Sequence, residues 1–290
     1  MDHSHKNYLK MAGITLSLML GLSIATSGQA DAIPVEITHK DGRFQLLRGG
    51  EPYDVRGAGL ELGDMGLFAS YGGNSIRTWS TENPKITALE VLDNAQKHGV
   101  TVSMCIEIGR ERLGFDYYDE EAVAAQFEFA RNEVMKYKDH PALLTWIIGN
   151  EVNLSFRNPK VFDAINDISK MIHETDPNHP TTTALAGFSP QLVKLVETRA
   201  PDLDFVSTQM YGGIVGLKRA IKAAEYDKPL FVTEWGSVGH WEVGKTSWRA
   251  PIEQNSSEKA ANYLKSYKAA IAANSDQVIG SYVFLWGQKQ

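Results

Sequence analysis

Short apolar runs recur along the chain and alternate with longer segments in which the apolar residues have a helical spacing. The runs are apolar at consecutive positions, which is typical of parallel strands that are covered on both faces. They predict eight strands, at Tyr53–Leu60, Ser75–Ser80, Thr101–Ile108, Leu143–Glu151, Thr181–Gly187, Asp204–Tyr211, Pro229–Ser237 and Val278–Trp286.

Between these strands the apolar residues return every three or four positions, which indicates helices that bury one face. Seven helices are predicted, at Asp64–Tyr71, Thr87–His98, Glu120–Tyr137, Lys160–Glu174, Gln191–Thr198, Gly216–Ala224 and Ser257–Ala273. A small β-hairpin is predicted before the first of the eight strands. Its strands are Val35–Thr38 and Phe44–Leu47, and its turn contains Asp41 and Gly42.

Eight strands that alternate with helices favour an α/β fold of the closed (β/α)8 TIM barrel type over an open doubly wound sheet. The open sheet is typical of nucleotide-binding proteins, but the spacing of Gly57, Gly59 and Gly63 is too loose for a dinucleotide fingerprint. No helical pattern follows the eighth strand. We therefore expect a barrel that lacks its last helix and a sequence that is truncated at its C-terminus.

Residues 1–32 have the pattern of a signal peptide. Lys6 and Lys10 are positively charged, Met11–Ala25 is an apolar stretch, and a small-residue cleavage pattern ends at Ala32. An uncleaved N-terminal anchor is the alternative. We expect export to the periplasm or the extracellular medium, with no membrane span after cleavage of the signal.

The remaining residues, 33–290, are long enough for one catalytic barrel, which takes about 250 residues. Cys105 is the only cysteine, so no internal disulfide is expected. The net charge of −6 and the lack of a basic segment argue against nucleic acid as a partner. The histidines lack metal-ligand spacing, and neither a metal ion nor another cofactor is expected. No feature of the sequence specifies an oligomeric state.

Candidate chemical groups lie at the C-terminal ends of the predicted strands, which is where TIM-barrel enzymes carry their active sites. Polar and aromatic residues are concentrated there, namely Arg77, Trp79, Glu107, Asn150, Glu151, Tyr211, Glu234 and Trp286. The long loop after the seventh strand adds Trp241, whose ring is suited to stacking on a sugar. We predict a substrate-binding surface at this end of the barrel.

Two carboxylates in this set have an unusual context. Glu151 and Glu234 each follow a strongly apolar run. Burying an unpaired carboxylate costs on the order of several kcal/mol of folding free energy, so a carboxylate in such a context is unusual. Glycoside hydrolysis uses such a pair, with one carboxylic acid protonating the leaving oxygen and the other carboxylate attacking the anomeric carbon. The fourth and seventh strands lie across the barrel, so their end residues can face each other over a bound sugar.

The segments around both glutamates resemble motifs of glycoside hydrolase clan A. Trp146–Glu151 resembles the acid/base motif of the clan, and Phe231–Gly236 resembles its nucleophile motif. Phe44–Gly59 and Gly73–Arg77 resemble the start of the catalytic barrel of family 2, the β-galactosidase, β-glucuronidase and β-mannosidase group. Only the small hairpin precedes the barrel in this chain, so it is also similar to stand-alone glucan-processing barrels of the clan.

The resemblance implies a retaining β-glycosidase that hydrolyses β-linked oligo- or polysaccharides by double displacement. It implies that Glu151 is the acid/base and Glu234 the nucleophile. It further implies that Asn150 binds the sugar 2-hydroxyl, Tyr211 contacts the nucleophile, Arg77 holds it ionised and Trp286 forms the floor under the sugar. Trp79 and Trp241 complete the predicted substrate-binding set. Two alternatives remain open: a β-glucanosyltransferase with the same residues and a non-catalytic carbohydrate-binding barrel.

Overall fold

A closed barrel of eight parallel strands forms the centre of the protein, whose computed structural model describes residues 31–287. The barrel strands β4 to β11 are Val55–Gly59, Ser75–Arg77, Thr101–Ile106, Leu143–Asn150, Thr181–Ala186, Val206–Met210, Leu230–Trp235 and Val278–Val283. They pair in chain order, and β11 pairs with β4 to close the ring. The predicted TIM barrel is therefore confirmed.

A three-stranded antiparallel sheet precedes the barrel and confirms the predicted hairpin. It consists of β1 (Val35–Lys40), β2 (Arg43–Arg48) and the two-residue β3 (Glu51–Pro52), which the sequence pattern did not reveal. Val35 and Leu46 of this sheet are buried in one apolar cluster with barrel residues Leu144, Phe205, Phe231, Ile279 and Tyr282. The hairpin therefore covers the N-terminal end of the barrel, opposite the ends where chemistry is expected.

Seven α-helices surround the barrel within the described residues. Helices α1 to α7 are Met65–Ser70, Ala88–Lys97, Glu120–Tyr137, Lys160–Thr175, Pro190–Arg199, Leu217–Ala224 and Ser256–Ser266. The last is extended by a π-turn at Tyr267–Ile271 and a 3-10 turn at Ala272–Asn274. No helix follows β11 up to Gly287, and the predicted C-terminal truncation remains a prediction.

Side-chain caps fix where two of these helices begin. Thr87 accepts from the Glu90 backbone N–H, while the Glu90 carboxylate accepts from the Thr87 backbone N–H, which is a capping box. Asn255 and Glu258 form the same arrangement at α7. The predicted start of that helix at Ser257 was therefore late, because the amide side chain of Asn255 satisfies the first turn.

The structure does not test the predicted signal peptide, because residues 1–30 lie outside the described part of the chain. No helix within residues 31–287 has the length and apolar character required to cross a membrane.

Candidate active site

Glu151 follows β7 at a point where the backbone leaves the regular ladder. The β7–β8 pairing register shifts between Ile147 and Asn150, and such irregularities re-aim side chains at strand ends. Gly149 has φ +76° and Glu151 itself has φ +51°, a left-handed conformation that is rare for a residue with a side chain. A hydrogen bond of 2.8 Å from the Glu151 backbone N–H to the Ala184 carbonyl holds this turn against β8.

The surroundings of the Glu151 carboxyl group raise its pKa. The largest cause is burial, followed by the negative charge of Glu234, while nearby arginines act in the opposite direction. Among these, Arg112 Nη2 lies 3.7 Å from Glu151 Oε2. Glu151 is thus held in an environment that favours its protonated form, which is what a general acid requires.

Gln209, at the end of β9, connects the two halves of the site. With its amide nitrogen turned toward Glu151, it donates to Glu151 Oε1 at 2.9 Å and accepts from Arg77 Nη1 at 2.9 Å. In the opposite orientation Gln209 Nε2 donates to Asn150 Oδ1 at 2.7 Å. The amide oxygen then faces the Glu151 carboxylate, and the amide nitrogen faces the Arg77 guanidinium, so neither contact is a hydrogen bond. The first orientation satisfies both of those neighbours and leaves a single pair of like groups, because the amide oxygen of Gln209 then lies 2.7 Å from Asn150 Oδ1.

Glu234 lies in β10, where it is only 7% exposed. The β9–β10 register shifts between Val232 and Glu234, so this carboxylate also stands at a strand irregularity. Its Oε1 accepts from Arg77 Nη1 at 2.7 Å and from Trp79 Nε1 at 2.7 Å. Its Oε2 accepts from the Tyr211 hydroxyl at 2.8 Å. Three donors therefore stabilise a negative charge on this side chain.

Arg77 joins the ends of three strands. Its side chain is fully buried, and the guanidinium donates to Glu234 Oε1 through Nη1 and to Asn150 Oδ1 through Nη2 at 2.8 Å. The guanidinium carbon also lies 5.0 Å from the centre of the Trp79 ring. Arg77 is thus fixed on several sides and in turn orients both Glu234 and Asn150.

Tyr211 and the loop after β10 form one wall of the site. Burial and the charge of Glu234 raise the pKa of Tyr211, so its hydroxyl stays protonated and donates to Glu234. The Trp241 ring packs edge-on against Tyr211, with 5.0 Å between centroids, and is 58% exposed. Glu242 anchors this loop by accepting from the Gly212 and Gly239 backbone N–H groups at 2.9 and 2.7 Å.

These residues line an open cleft of about 900 Å³ at the C-terminal end of the barrel. The predicted site residues that border it are Trp79, Asn150, Glu151, Tyr211, Glu234 and Trp241. Arg77 lies directly beneath them, in contact with Glu234 and Asn150. Seven of the eight predicted site residues are thus brought together in one place.

Trp286 is the eighth, and the structure places it elsewhere. Its ring packs against Phe68 of α1 and against Tyr71, the C-cap of that helix, with centroid distances of 5.6 and 5.8 Å. Trp286 is not among the residues that line the cleft. Phe284 lies in the cleft instead, edge-on to Trp79 at 5.9 Å. The chain bends after β11, so that Phe284 takes the position predicted for Trp286.

The cleft also contains residues that the sequence did not single out as site residues. The charged, polar and aromatic ones among them are Arg110, Arg112, Gln209, His240, Glu242 and Phe284. Gln209 and Phe284 lie at the C-terminal ends of strands, which is the same sequence feature that identified Tyr211 as a candidate. The others belong to loops, whose path into the cleft is set by tertiary contacts.

Comparisons with known proteins agree with the fold. Residues 83–288 match the family described as glycosyl hydrolases family 2, TIM barrel domain. The chain belongs to this family. No curated protein sequence matches the chain.

Solved structures share the fold at low sequence identity. A β-glucuronidase from Bacteroides uniformis superimposes with a TM-score of 0.64 and 15% identity over 87% of this chain and 32% of that one. A Bifidobacterium dentium β-glucuronidase complexed with coumarin-3-O-glucuronide gives 0.64 and 18%, over 89% and 44%. A family 5 mannosidase from Rhizomucor miehei gives 0.62 and 16%, over 86% and 85%. This chain therefore spans less than half the length of these two glucuronidases, but most of the mannosidase.

Proposed function

We propose that this family 2 barrel is a retaining β-glycosidase that hydrolyses O-glycosidic bonds in β-linked oligo- or polysaccharides. Glu151 is the acid/base and Glu234 the nucleophile. The observation that carries the proposal is the contrast between the two carboxyl groups in one cleft. Glu151 has a raised pKa, whereas Glu234 accepts three hydrogen bonds, one of them from a buried arginine. Unequal environments of this kind assign one group as acid and the other as nucleophile.

In the first step, a Glu234 oxygen attacks the anomeric carbon of the sugar while the glycosidic C–O bond breaks. The electron pair of that bond goes to the leaving oxygen, which takes the proton of Glu151. Both lone pairs of Oε1 are occupied by hydrogen bonds, whereas Oε2 accepts only from Tyr211, so Oε2 has the free pair for the attack. The product is a covalent glycosyl ester of Glu234.

In the second step, the Glu151 carboxylate removes a proton from a water molecule as the water oxygen attacks the anomeric carbon. The ester bond breaks, its electron pair returns to Glu234, and the sugar is released with its original configuration. Arg77, Trp79 and Tyr211 then stabilise the restored Glu234 carboxylate. If a sugar hydroxyl replaces the water molecule, the same residues perform transglycosylation.

The remaining site residues have supporting roles in this proposal. The Asn150 amide, held by Arg77, is placed to hydrogen-bond a sugar hydroxyl near Glu151. Trp79, Phe284 and Trp241 present aromatic surface to the cleft, which suits the C–H faces of sugars. The β-glucuronidase and mannosidase neighbours support a glycoside as the substrate class, and the β-glucuronidase supports a β-linkage.

Azide rescue tests the residue assignment. The Glu234→Ala and Glu151→Ala variants would be incubated with a panel of 2,4-dinitrophenyl β-glycosides in the presence of sodium azide. We expect Glu234→Ala to yield an α-glycosyl azide and Glu151→Ala a β-glycosyl azide, because azide replaces the nucleophile in one and the second-step water in the other. Full activity of Glu234→Ala without azide would contradict the mechanism.

Product analysis separates the alternatives. The wild-type chain would be given β-glucan, β-galactan and β-mannan oligosaccharides, with the products sized by mass spectrometry. Shorter products that disappear in Glu234→Ala indicate a hydrolase, and products longer than the substrate indicate a glucanosyltransferase. Binding of an oligosaccharide without turnover would indicate a carbohydrate-binding barrel.

We also propose that the protein is exported and that residues 1–32 are removed on export. The basis is the charged, apolar and small-residue pattern of this segment. The intact mass of the protein recovered from the periplasm or the medium tests it. A mature N-terminus at Ile33 is expected, and a full-length chain retained in the membrane fraction would contradict cleavage.

A further inference from the structure

The loop after β6 holds an arginine against the proposed acid/base. A 3-10 turn at Glu111–Leu113 carries Arg112, and Arg112 Nη2 lies 3.7 Å from Glu151 Oε2. Glu111 anchors this turn by accepting from the Arg157 and Asn158 backbone N–H groups at 2.5 and 2.9 Å. The position of the Arg112 backbone is therefore fixed by the fold.

The rest of the loop is equally well held. The Tyr117 hydroxyl donates to the Gly109 carbonyl at 2.6 Å, and the Gly109 N–H donates to Gln126 of α3 at 2.6 Å. The Phe115 ring packs on Tyr117 and lies so close to Gly109 that a Cβ there would be 2.1 Å from it. These contacts hold the loop on both sides of Arg112 and place its backbone at the edge of the cleft.

Arg112 is the least compensated of the charged groups that border the cleft within residues 31–287. Glu234 is paired with Arg77, Arg110 is paired with Glu107, and the Glu242 carboxylate accepts from two backbone N–H groups. In the part of the chain that the structure describes, Arg112 forms its ion pair with Glu151 alone. Glu151 must carry a proton when the reaction begins, and at that moment Arg112 has no anionic partner.

The side of the cleft on which this arginine lies follows from the proposed mechanism. Glu151 protonates the leaving oxygen, so groups next to Glu151 and away from Glu234 face the leaving group. Arg112 contacts Glu151, whereas Arg77 serves Glu234. The guanidinium of Arg112 is therefore placed beside the sugar that departs in the first step and beside the acceptor in the second.

We propose that Arg112 selects a leaving-group sugar that carries an anionic substituent, a carboxylate or a sulfate, so that the substrate is an acidic β-linked glycan. The inference rests on the proposed function of Glu151 and Glu234. A planar guanidinium binds such oxyanions with two parallel hydrogen bonds. The net charge of −6 does not oppose this, because charges beyond about 8–10 Å are screened in physiological salt.

Reactivation of a trapped enzyme tests this directly. The full chain would be labelled on Glu234 with the 2,4-dinitrophenyl 2-deoxy-2-fluoro-β-glycosides of glucose, galactose, mannose and glucuronic acid, and labelling would be followed by intact mass. The labelled enzyme would then be reactivated with methyl β-D-glucoside, methyl β-D-glucuronide or methyl β-D-glucoside 6-sulfate. These acceptors occupy the leaving-group side, share the gluco configuration and differ in the group at C6, which is a neutral hydroxyl, a carboxylate or a sulfate.

We expect the glucuronide or the sulfate to reactivate the wild type about ten-fold faster than the neutral glucoside, which is the scale of one charge-assisted contact. Which of the two acts faster identifies the anion. Arg112→Gln should reduce the ratio to near one, and Arg112→Lys should keep part of it. Arg110→Gln removes the same charge from an arginine that is already paired, and should keep the ratio.

Each contrary outcome has a separate meaning. Equal rates with all three acceptors in the wild type overturn the proposal while the glycosidase mechanism stands. A preference for anions that survives Arg112→Gln overturns the assignment to Arg112. If no donor labels the enzyme, the covalent mechanism itself is contradicted, and the inference falls with it.

Discussion

The indole N–H of Trp79 donates to Oε1 of Glu234 at 2.7 Å, on the same oxygen that Arg77 binds. A predicted substrate-binding residue is therefore also a hydrogen-bond donor to the proposed nucleophile. Gly59 lies under this ring, since a Cβ at Gly59 would be 2.6 Å from Trp79 Cη2. The lack of a side chain at Gly59 of β4 thus leaves the space that the indole occupies when it reaches Glu234.

Replacing Trp79 by Phe tests this dual role. The variant keeps an aromatic face but loses the donor, and we expect kcat/KM to fall about ten-fold, as for loss of one hydrogen bond to a charged group. Trp248→Phe is a matched control at an exposed loop position and should leave kcat/KM unchanged. Equal kinetics of the Trp79 variant and the wild type would show that the hydrogen bond does not contribute.

Replacing Arg77 by Met should destabilise the fold by about 3–5 kcal/mol, because the buried Glu234 carboxylate would lose its ion-pair partner. Urea unfolding followed by circular dichroism measures the effect. The double variant Arg77→Met/Glu234→Gln removes the orphaned charge and should recover part of the loss. A double variant with the summed destabilisation of both single variants would contradict coupling between the two side chains.

Replacing Glu151 by Gln should stabilise the protein at neutral pH. Since the folded environment raises the pKa of Glu151, ionisation is less favourable in the folded state than in the unfolded state. Below the ordinary pKa of a glutamate, the carboxyl group is protonated in both the folded and the unfolded state, and its titration does not affect stability. Its destabilising effect grows as pH rises from the unfolded pKa to the folded pKa and is complete above the folded pKa. We therefore expect a higher Tm for Glu151→Gln at pH 8, by about 2–4 °C for each kcal/mol, and no gain at pH 4.

Asp204→Asn provides a control of opposite sign for that experiment. Burial acts to raise the pKa of Asp204, but hydrogen bonds from His173 and Thr181 lower it on balance. Its contribution to stability is present above the unfolded pKa and is lost as pH falls through the folded value. We expect Asp204→Asn to lower Tm at neutral pH. A similar response of both variants to pH would contradict the contrast between these two environments.

Replacing Gly149 by Ala should lower both stability and activity. Gly149 has φ +76°, and a Cβ there would be 2.9 Å from both Ile108 Cγ1 and Val152 Cγ1. We expect a loss of about 1–3 kcal/mol and a fall in kcat, because the neighbouring turn positions Glu151. Gly99→Ala has a similar φ of +68° with no atom within 4 Å, and it should show the backbone strain without the activity loss.

The sequence predicted the barrel and most of its site because both follow from position along strands. Glu151 and Glu234 were identifiable as carboxylates after apolar runs, and the strand order placed Arg77 and Tyr211 at the same end. The strand ends were less accurate. β5 stops at Arg77 and β6 at Ile106, because the residues that follow leave the ladder to build the site.

Trp286 and Arg112 show where sequence analysis was insufficient. Phe284 and Trp286 are two residues apart, so a strand continued beyond β11 would point both side chains to the same face. The alternation of the strand therefore cannot tell which of them enters the cleft. The bend beyond Val283 decides this, and it depends on packing of Trp286 against Phe68. Arg112 approaches Glu151 only because Glu111 is bound by the β7–α4 loop, a contact between segments far apart in sequence.

The hairpin sheet at the N-terminal end of the barrel has a consequence for how this protein can be altered. Val35 and Phe44 donate backbone hydrogen bonds to Asn178 and Asp276, in the turns before β8 and β11. The sheet thus braces the barrel at the end away from the cleft. Loops around the cleft can then be exchanged for those of other barrels while the scaffold keeps its brace, which makes substrate range and thermal tolerance separable targets for engineering.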